Sequence, residues 1–315
     1  MQKPCALSKG TVIKSTGSAY VVRSEEGEAV ECRLKGRMRL SGSRSTNPVA
    51  VGDHVSFFVD PKAGGVISEV FDRRNCIVRK STNLSKQTHV IAANVDQLLL
   101  VVTINHPETS TTFIDRYLAS AEAYGVPAVI VFNKTDRYDA AETEELEYRE
   151  ALYRSIGYDT IRTSAETGEG IDALKAALKD KVTLLSGHSG VGKSTLVNKI
   201  EPSLHLKTDE ISEQNNSGKH TTTFAEMHPL SMGGEVVDTP GVRGFGIINI
   251  EREEVSHYFR DIFAVSPGCH FPNCTHTHEP GCAVVQAVEQ GRIAPTRYAS
   301  YVNILDESEG KYRGA

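Results

Sequence analysis

Gly187-His188-Ser189-Gly190-Val191-Gly192-Lys193-Ser194 matches G-x-x-x-x-G-K-[ST] at every position. A strand-like run, Val182–Leu185, leads into it, and a helix-like run, Thr195–Ile200, leaves it. The residue types suit a polyphosphate. Glycines let successive backbone N–H groups converge on phosphate oxygens. Lys193 is expected to reach the β- and γ-phosphates, and the Ser194 hydroxyl to bind Mg²⁺. Thr195 belongs to the same expected contact set.

Asn133-Lys134-Thr135-Asp136 follows the apolar run Ala128–Phe132. A carboxylate at Asp136 can accept two hydrogen bonds from the N1–H and exocyclic amine of guanine. Asn133 can reach the other edge, and the Lys134 stem can pack on the ring. Adenine lacks that donor pair and would leave the carboxylate unpaired. Thr163-Ser164-Ala165 ends the next strand-like run, where a backbone N–H can meet guanine O6. The combination favours GTP over ATP and disfavours a P-loop kinase or ATPase.

Asp238-Thr239-Pro240-Gly241 follows Val236-Val237 and reads D-x-x-G. Asp238 is expected to bind Mg²⁺ through water and the Gly241 N–H to touch the γ-phosphate. Between this motif and the glycine-rich loop lies Gly218-Lys219-His220-Thr221-Thr222-Thr223. Thr222 is the preferred second magnesium ligand, with Thr221 and Thr223 as alternatives. Val242 occupies the place where many GTPases carry a water-orienting glutamine, and valine cannot serve. His220 is the candidate replacement, because an imidazole can hold a water near neutral pH.

Cys269, Cys274 and Cys282 fall within fourteen residues that also contain His270, His276 and His278. Three thiolates and one imidazole suit tetrahedral Zn²⁺ with no open position, hence a structural ion. Spacing alone leaves the choice of histidine open.

The elements around these motifs change character along the chain. Gly10–Lys14, Ala19–Arg23, Ala29–Leu34, Asp53–Val59 and Val66–Phe71 read as five short strands between turn-rich separators, the pattern of a small OB-type barrel. From about Asp96, strand-like and helix-like runs alternate, which indicates a mostly parallel sheet with helices on both faces. The runs are Gln97–Thr103, Thr112–Tyr124, Ala128–Phe132, Glu142–Ile156, Thr160–Thr163, Ile171–Leu178 and Val182–Leu185. After Gly246 the alternation stops, and helices are expected at Arg252–Phe263 and Ala283–Gln290 around the Cys/His cluster. Basic residues gather at Arg33, Lys35, Arg37, Arg39 and Arg44, and again at Arg73, Arg74, Arg79, Lys80 and Lys86, although the formal net charge is −5. No apolar run reaches the length of a membrane span and the N-terminus lacks an apolar leader, so a cytoplasmic protein without membrane contact is expected.

The motifs occur in a permuted order. A conventional GTPase begins with the phosphate loop, whereas here it follows both guanine motifs, as if the chain were cut between the third and fourth strands. In this order, in the G-K-H-T-T-T loop and in the C-x4-C-x-H-x5-C cluster, the chain resembles the ribosome small subunit-dependent GTPases of bacteria, the RsgA/YjeQ family, over nearly its whole length. The resemblance implies an α/β P-loop GTPase domain, circularly permuted, with an N-terminal OB-fold β-barrel and a C-terminal, mostly helical zinc-binding domain. The corresponding boundaries are 1–72, 73–247 and 248–315. It selects His276 as the fourth zinc ligand. It also implies GTP hydrolysis stimulated by the 30S ribosomal subunit, a role in late maturation of that subunit, and 16S rRNA contact; Arg37, Arg39 and Arg44, near the expected strand 3–4 connection of the barrel, could contact its phosphates. GTP and GDP are the expected ligands, and a monomer is the expected state. Gly190 stands where potassium-dependent GTPases have asparagine, which argues against a K⁺ requirement. The competing reading is an RNA-binding scaffold in which GTP is a passive ligand. A mechanical expectation follows from the permutation: the chain leaves Asp238 and Gly241 straight into the zinc domain, so γ-phosphate sensing would be passed to that domain's orientation.

Overall fold

The computed structural model describes residues 7–17, 19–35, 47–61, 64–80, 88–206, 225–238 and 251–308. Strands β1 (Ser8–Ser15), β2 (Tyr20–Ser24), β3 (Ala29–Leu34), β4 (His54–Asp60) and β5 (Gly64–Val70) close in the order β1-β2-β3-β5-β4-β1. Only β3 and β5 pair in parallel. Alternation turns Val12, Tyr20, Val22, Cys32, Val55, Phe57 and Ile67 inward to fill a small barrel. The expected OB-type unit is therefore present, with strand limits within a few residues of those read from the sequence. The connection carrying Arg37, Arg39 and Arg44 lies between β3 and β4 but outside the described residues.

Strands β6 (Cys76–Lys80) and β7 (Thr88–Ala93) form an antiparallel hairpin that the sequence pattern did not reveal. Asn47 substitutes for a strand neighbour: its amide donates to the Val90 carbonyl and accepts from the Val90 N–H, both at 2.8 Å. In the second basic group, Arg73 is paired with buried Asp53 at 2.7 Å and Arg74 with Asp96 at 2.7 Å. Arg73 thus ties the linker after β5 to the barrel and Arg74 ties it to the start of the GTPase sheet, while the Ala93 N–H donates to the Val51 carbonyl at 2.8 Å between hairpin and barrel.

The central sheet comprises β8 (Gln97–Val102), β9 (Ala128–Asn133), β10 (Asp159–Thr163), β11 (Val182–Ser186), β12 (Glu226–Pro229) and β13 (Glu235–Asp238). Their order is β10-β9-β8-β11-β13-β12, parallel except for β12. All six residues of β8 and of β9 are buried, as a parallel strand covered on both faces requires. Leu98, Leu100 and Val102 join a core with Ile114 and Leu118 of α1 (Thr111–Ala123) and Leu146 of α2 (Ala140–Ser155). Leu99 and Val101 face the other way, toward α3 (Ile171–Leu178) and α4 (Lys193–Ile200).

The C-terminal part contains α5 (Arg260–Val265), α6 (Ala283–Glu289) and α7 (Pro295–Ser308). One helix was expected over Arg252–Phe263. The structure instead has a 3₁₀ segment, Arg252–Tyr258, then α5. The break falls at Phe259, whose backbone is extended (φ −113°, ψ 98°) while its ring is fully buried. Burying that ring in the core with Ile262, Val284, Tyr301 and Leu305 outweighs one more helical turn. No described helix is long and apolar enough to cross a membrane.

Candidate nucleotide site and metal centre

The sheet register brings the scattered motifs to one edge. Asn133 pairs with Thr163 at the ends of β9 and β10, Leu185 of β11 with Asp238 of β13, and Ser186 with Leu100. The loops after the carboxyl ends of parallel strands are where an open α/β sheet binds its ligand. The residues from Gly187 to Thr195, Asn133 to Asp136, Ser164, Ala165 and Asp238 all gather there. Gly241, His220 and Thr222 lie outside the described residues.

The phosphate loop needs its glycines for backbone shape. Gly187 has φ 140° and Gly192 φ 98°, values that L side chains rarely adopt. A Cβ at Gly187 would also collide with the Val101 carbonyl, and one at Gly192 with the Asn133 amide. The Lys193 ammonium donates to the Gly187 and His188 carbonyls at 2.8 and 2.7 Å, at the mouth of the loop whose N–H groups would cradle phosphate. Ser194 is half-buried on the first turn of α4 and Thr195 is exposed. Asp238, at the end of β13, is half-buried.

The guanine motif also braces the phosphate loop. Asn133 donates to the Val191 carbonyl at 2.8 Å and accepts from the Thr163 hydroxyl at 3.0 Å. Lys134 donates to the carbonyls of Gly190 and His106, both at 2.6 Å. Burial, followed by repulsion from Arg137, lowers the Lys134 ammonium from its usual range. Asp136 is exposed.

Three supporting residues were not apparent in the sequence. Glu169 accepts a 2.7 Å hydrogen bond from Thr135, and its carbonyl accepts from the Ser164 N–H at 3.0 Å, tying the two guanine loops together. Tyr138 donates to the Asn133 carbonyl at 2.6 Å and accepts from the Ile104 N–H at 2.9 Å. Burial pushes its phenol up to about 12. Phe113 of α1 stacks on His188 with ring centroids 3.6 Å apart. Nothing in a lone Glu, Tyr or Phe marks such a role before the loops are placed in space.

In the C-terminal part, the donor atoms of Cys269, Cys274, His276 and Cys282 all lie within 4.8 Å of one another. Cys269 Sγ is 3.4 Å and Cys282 Sγ 3.6 Å from His276 Nδ1, and the two sulfurs are 3.9 Å apart. Tetrahedral zinc bonds of ~2.3 Å to sulfur and ~2.0 Å to nitrogen span such separations. The set can therefore hold a metal ion. Of the three histidines that spacing left open, His276 faces the thiols. His278 Nδ1 instead meets the Thr277 hydroxyl, and the His270 ring packs edge-on against Phe271. Burial pushes the Cys274 thiol up to about 12, so a cation rather than solvent would draw out its thiolate. Around the set, Tyr298 and Tyr301 donate to the carbonyls of His276 and Thr275 at 2.8 and 2.9 Å. The Glu279 carboxylate gathers the N–H groups of Thr275 and Thr277 at 2.7 and 3.0 Å.

Known proteins agree with this geometry. A family model described as RsgA GTPase matches residues 70–248, and one described as RsgA N-terminal domain matches residues 9–67. A small ribosomal subunit biogenesis GTPase RsgA from Bacteroides fragilis is 56% identical, covering 98% of this chain and 99% of its own length. One from Flavobacterium psychrophilum is 52% identical, with 96% and 94% covered. The crystal structure of YjeQ from Thermotoga maritima superposes with a TM-score of 0.78 at 38% identity, covering 97% of this chain and all of that one. YloQ, a circularly permuted GTPase, gives 0.72 at 30% identity, with 98% of each chain covered. A circularly permuted GTPase fold and an N-terminal RsgA domain are thus shared features, and the chain belongs to the RsgA GTPase family.

Proposed function

We propose that this GTPase couples GTP hydrolysis to late maturation of the 30S ribosomal subunit, which stimulates its turnover. The observation that carries the nucleotide part is the bracing of the phosphate loop by the guanine motif through Asn133–Val191 and Lys134–Gly190. A passive scaffold has no need of a lysine and a hydroxyl aimed at the terminal phosphates. In this reading Asp136, Ser164 and Ala165 select guanine. The loop from Gly187 to Thr195 binds the phosphates, with Lys193 acting on the β- and γ-groups. Ser194 and Thr222 are the direct ligands for Mg²⁺, Asp238 holds it through water, and Gly241 contacts the γ-phosphate. The metal supplies charge neutralisation at the phosphates. Cys269, Cys274, His276 and Cys282 hold one structural Zn²⁺. Segments 1–72, 73–247 and 248–315 act as barrel, GTPase and zinc-binding units of a cytoplasmic monomer. Arg37, Arg39 and Arg44 contact 16S rRNA phosphates.

Phosphate release titrated with 30S subunits, with 50S subunits as control, tests the proposal. Stimulation by 30S alone is expected, and no stimulation by either would overturn it. His220 is proposed to orient the attacking water once the subunit orders its loop. His220→Ala should keep nucleotide affinity and lose stimulated turnover; unchanged stimulated turnover would remove His220 from the mechanism.

A further inference from the structure

Strand β1 serves two sheets. Residues Ser8–Thr11 pair with β4 and close the barrel. A register shift between Val12 and Lys14 then interrupts its ladder with β2. Such bulges bend a strand and increase its twist. Beyond the bulge, Lys14 pairs with Glu226 of β12, so the barrel becomes an extension of the GTPase sheet. Glu226 is also the register partner of Asp238. Lys14, Glu226 and Asp238 therefore lie abreast on three neighbouring strands.

The side chains reinforce the ladder. Lys14 and Glu226 form an ion pair at 2.9 Å, and Arg23 of β2 pairs with Glu235 at the other end of β13. Beside this seam lies a hollow of about 410 Å³, bordered by Thr11 and His54 of the barrel and by Met227 and Glu235 of the sheet. Next to the hollow, Val51 and Ile13 of the barrel side pack against the GTPase core, and the strand ladder and the two ion pairs add to that connection.

We propose that Glu226, gripped by Lys14 of the barrel, is a positioning residue for Asp238, so that the seating of the barrel sets the magnesium side of the nucleotide site. This rests on the reading of Asp238 as the γ-phosphate-side magnesium residue. The route is physical: β12 has only four residues, its two edges are taken by β1 and β13, and Glu226 sits where both ladders meet. A shift of β1 displaces Glu226 and with it the end of β13. A barrel engaged by a partner can then alter magnesium affinity without touching the nucleotide.

The test uses the full-length protein and a fluorescent non-hydrolysable GTP analogue, titrated with MgCl₂ at equilibrium. Lys14→Glu and Glu226→Lys should each raise the magnesium concentration for half-maximal binding about two- to fivefold, the range open to a partly exposed ion pair. Lys14→Met, a milder change, should move it in the same direction. The Lys14→Glu/Glu226→Lys double variant should return it toward the parent. Analogue binding in EDTA should be the same in all, which a merely structural defect would not give. Unmoved single variants, or a double variant without rescue, overturn the proposal. Asp238→Asn separates the layers. If it moves the magnesium midpoint and the seam variants do not, only the positioning role falls. If Asp238→Asn leaves the midpoint unchanged, the reading of Asp238 falls and the positioning role falls with it.

Discussion

Arg297 of α7 donates to Asp115 of α1 at 2.7 Å, with side-chain exposures of 1% and 0%. The same guanidinium meets Asp261 at 2.7 Å and lies over the Phe259 ring, 4.7 Å from its centroid. Tyr153 of α2 donates to the shared Asp115 oxygen at 2.9 Å. Burial alone pulls Arg297 down and pushes Asp115 up. The two facing carboxylates reverse the effect for Arg297, which stays charged, and the single guanidinium only tempers it for Asp115. The C-terminal part is thus bolted to the helix layer of the GTPase unit. Arg260 adds a second bolt, pairing with Glu122 at 2.7 Å and covering the Tyr158 ring. Both contacts join α1 of the GTPase unit to the C-terminal part.

Removing Arg297 leaves two buried carboxylates facing each other's field. Arg297→Met is expected to cost about 3–5 kcal/mol, the range for breaking a buried pair from one side. Urea unfolding should show the loss. Adding Asp115→Leu and Asp261→Leu should recover much of it, because the uncompensated charges are then gone. If Arg297→Met matched the parent in urea, the network would be incidental.

The metal centre gives a sharper discrimination. Zinc content measured on the purified chain should be one ion per molecule. Cys282→Ser should lower it, since that sulfur meets His276 Nδ1 at 3.6 Å and caps α6 through the Val285 N–H at 3.4 Å. His276→Ala should do the same, while His270→Ala and His278→Ala should retain zinc. A strong chelator should destabilise α5 to α7, because Cys274 and Cys282 belong to the same core as Phe259 and Leu305. Retained zinc in His276→Ala would reassign the fourth ligand.

Much of this was legible in the sequence for physical reasons, and so were the gaps. Strands β8 and β9 are apolar throughout because both faces are covered, and short continuous runs of that kind announce themselves. Strand β12 does not. Glu-Met-His-Pro has one buried apolar residue, Met227, and is a strand only because β13 and β1 offer partners. Asp115 is misleading in the same way. Helical periodicity assigns a carboxylate to solvent, yet here it points into the protein because an arginine 182 positions later waits for it. Chemistry carried by contiguous motifs, such as Gly187–Ser194, could be read directly. Chemistry assembled across the chain, such as Thr135–Glu169, required the fold.

The Phe113–His188 stack predicts a split between binding and turnover. The rings are 27° from parallel, and Phe113 also packs on Tyr117 with centroids 4.5 Å apart. Such a pair is worth ~0.5–1.5 kcal/mol, roughly a two- to twelvefold change in affinity. Phe113→Ala should therefore weaken GDP and GTP binding by about that factor and leave turnover at saturating GTP within about twofold. Phe113→Tyr should bind like the parent. Burial, followed by the Lys193 charge, holds the His188 imidazole below its usual range. Opening the stack hydrates the ring, so its titration midpoint, followed by NMR, should rise in Phe113→Ala. A fall, or no change, would show that the stack does not shield it.

Base selection can be separated from loop support by two substitutions one turn apart. Asp136 is exposed in the 3₁₀ turn Thr135–Arg137 that follows β9 and is assigned the two N–H groups of guanine. Two bonds to a charged acceptor, at ~1.5–3 kcal/mol each, make Asp136→Asn worth roughly 10²–10⁴-fold in GTP affinity. An asparagine amide offers a donor where the carboxylate had an acceptor, so the variant should gain affinity for xanthosine triphosphate, whose C2 carries a carbonyl oxygen. Asn133 differs, because its amide is occupied with the Val191 carbonyl and the Thr163 hydroxyl. Asn133→Ala should weaken guanine and xanthine nucleotides alike by loosening the phosphate loop. Competition binding with GTP, ATP and xanthosine triphosphate reads both. A preference switch in Asn133→Ala, or none in Asp136→Asn, would exchange the roles assigned to the two residues.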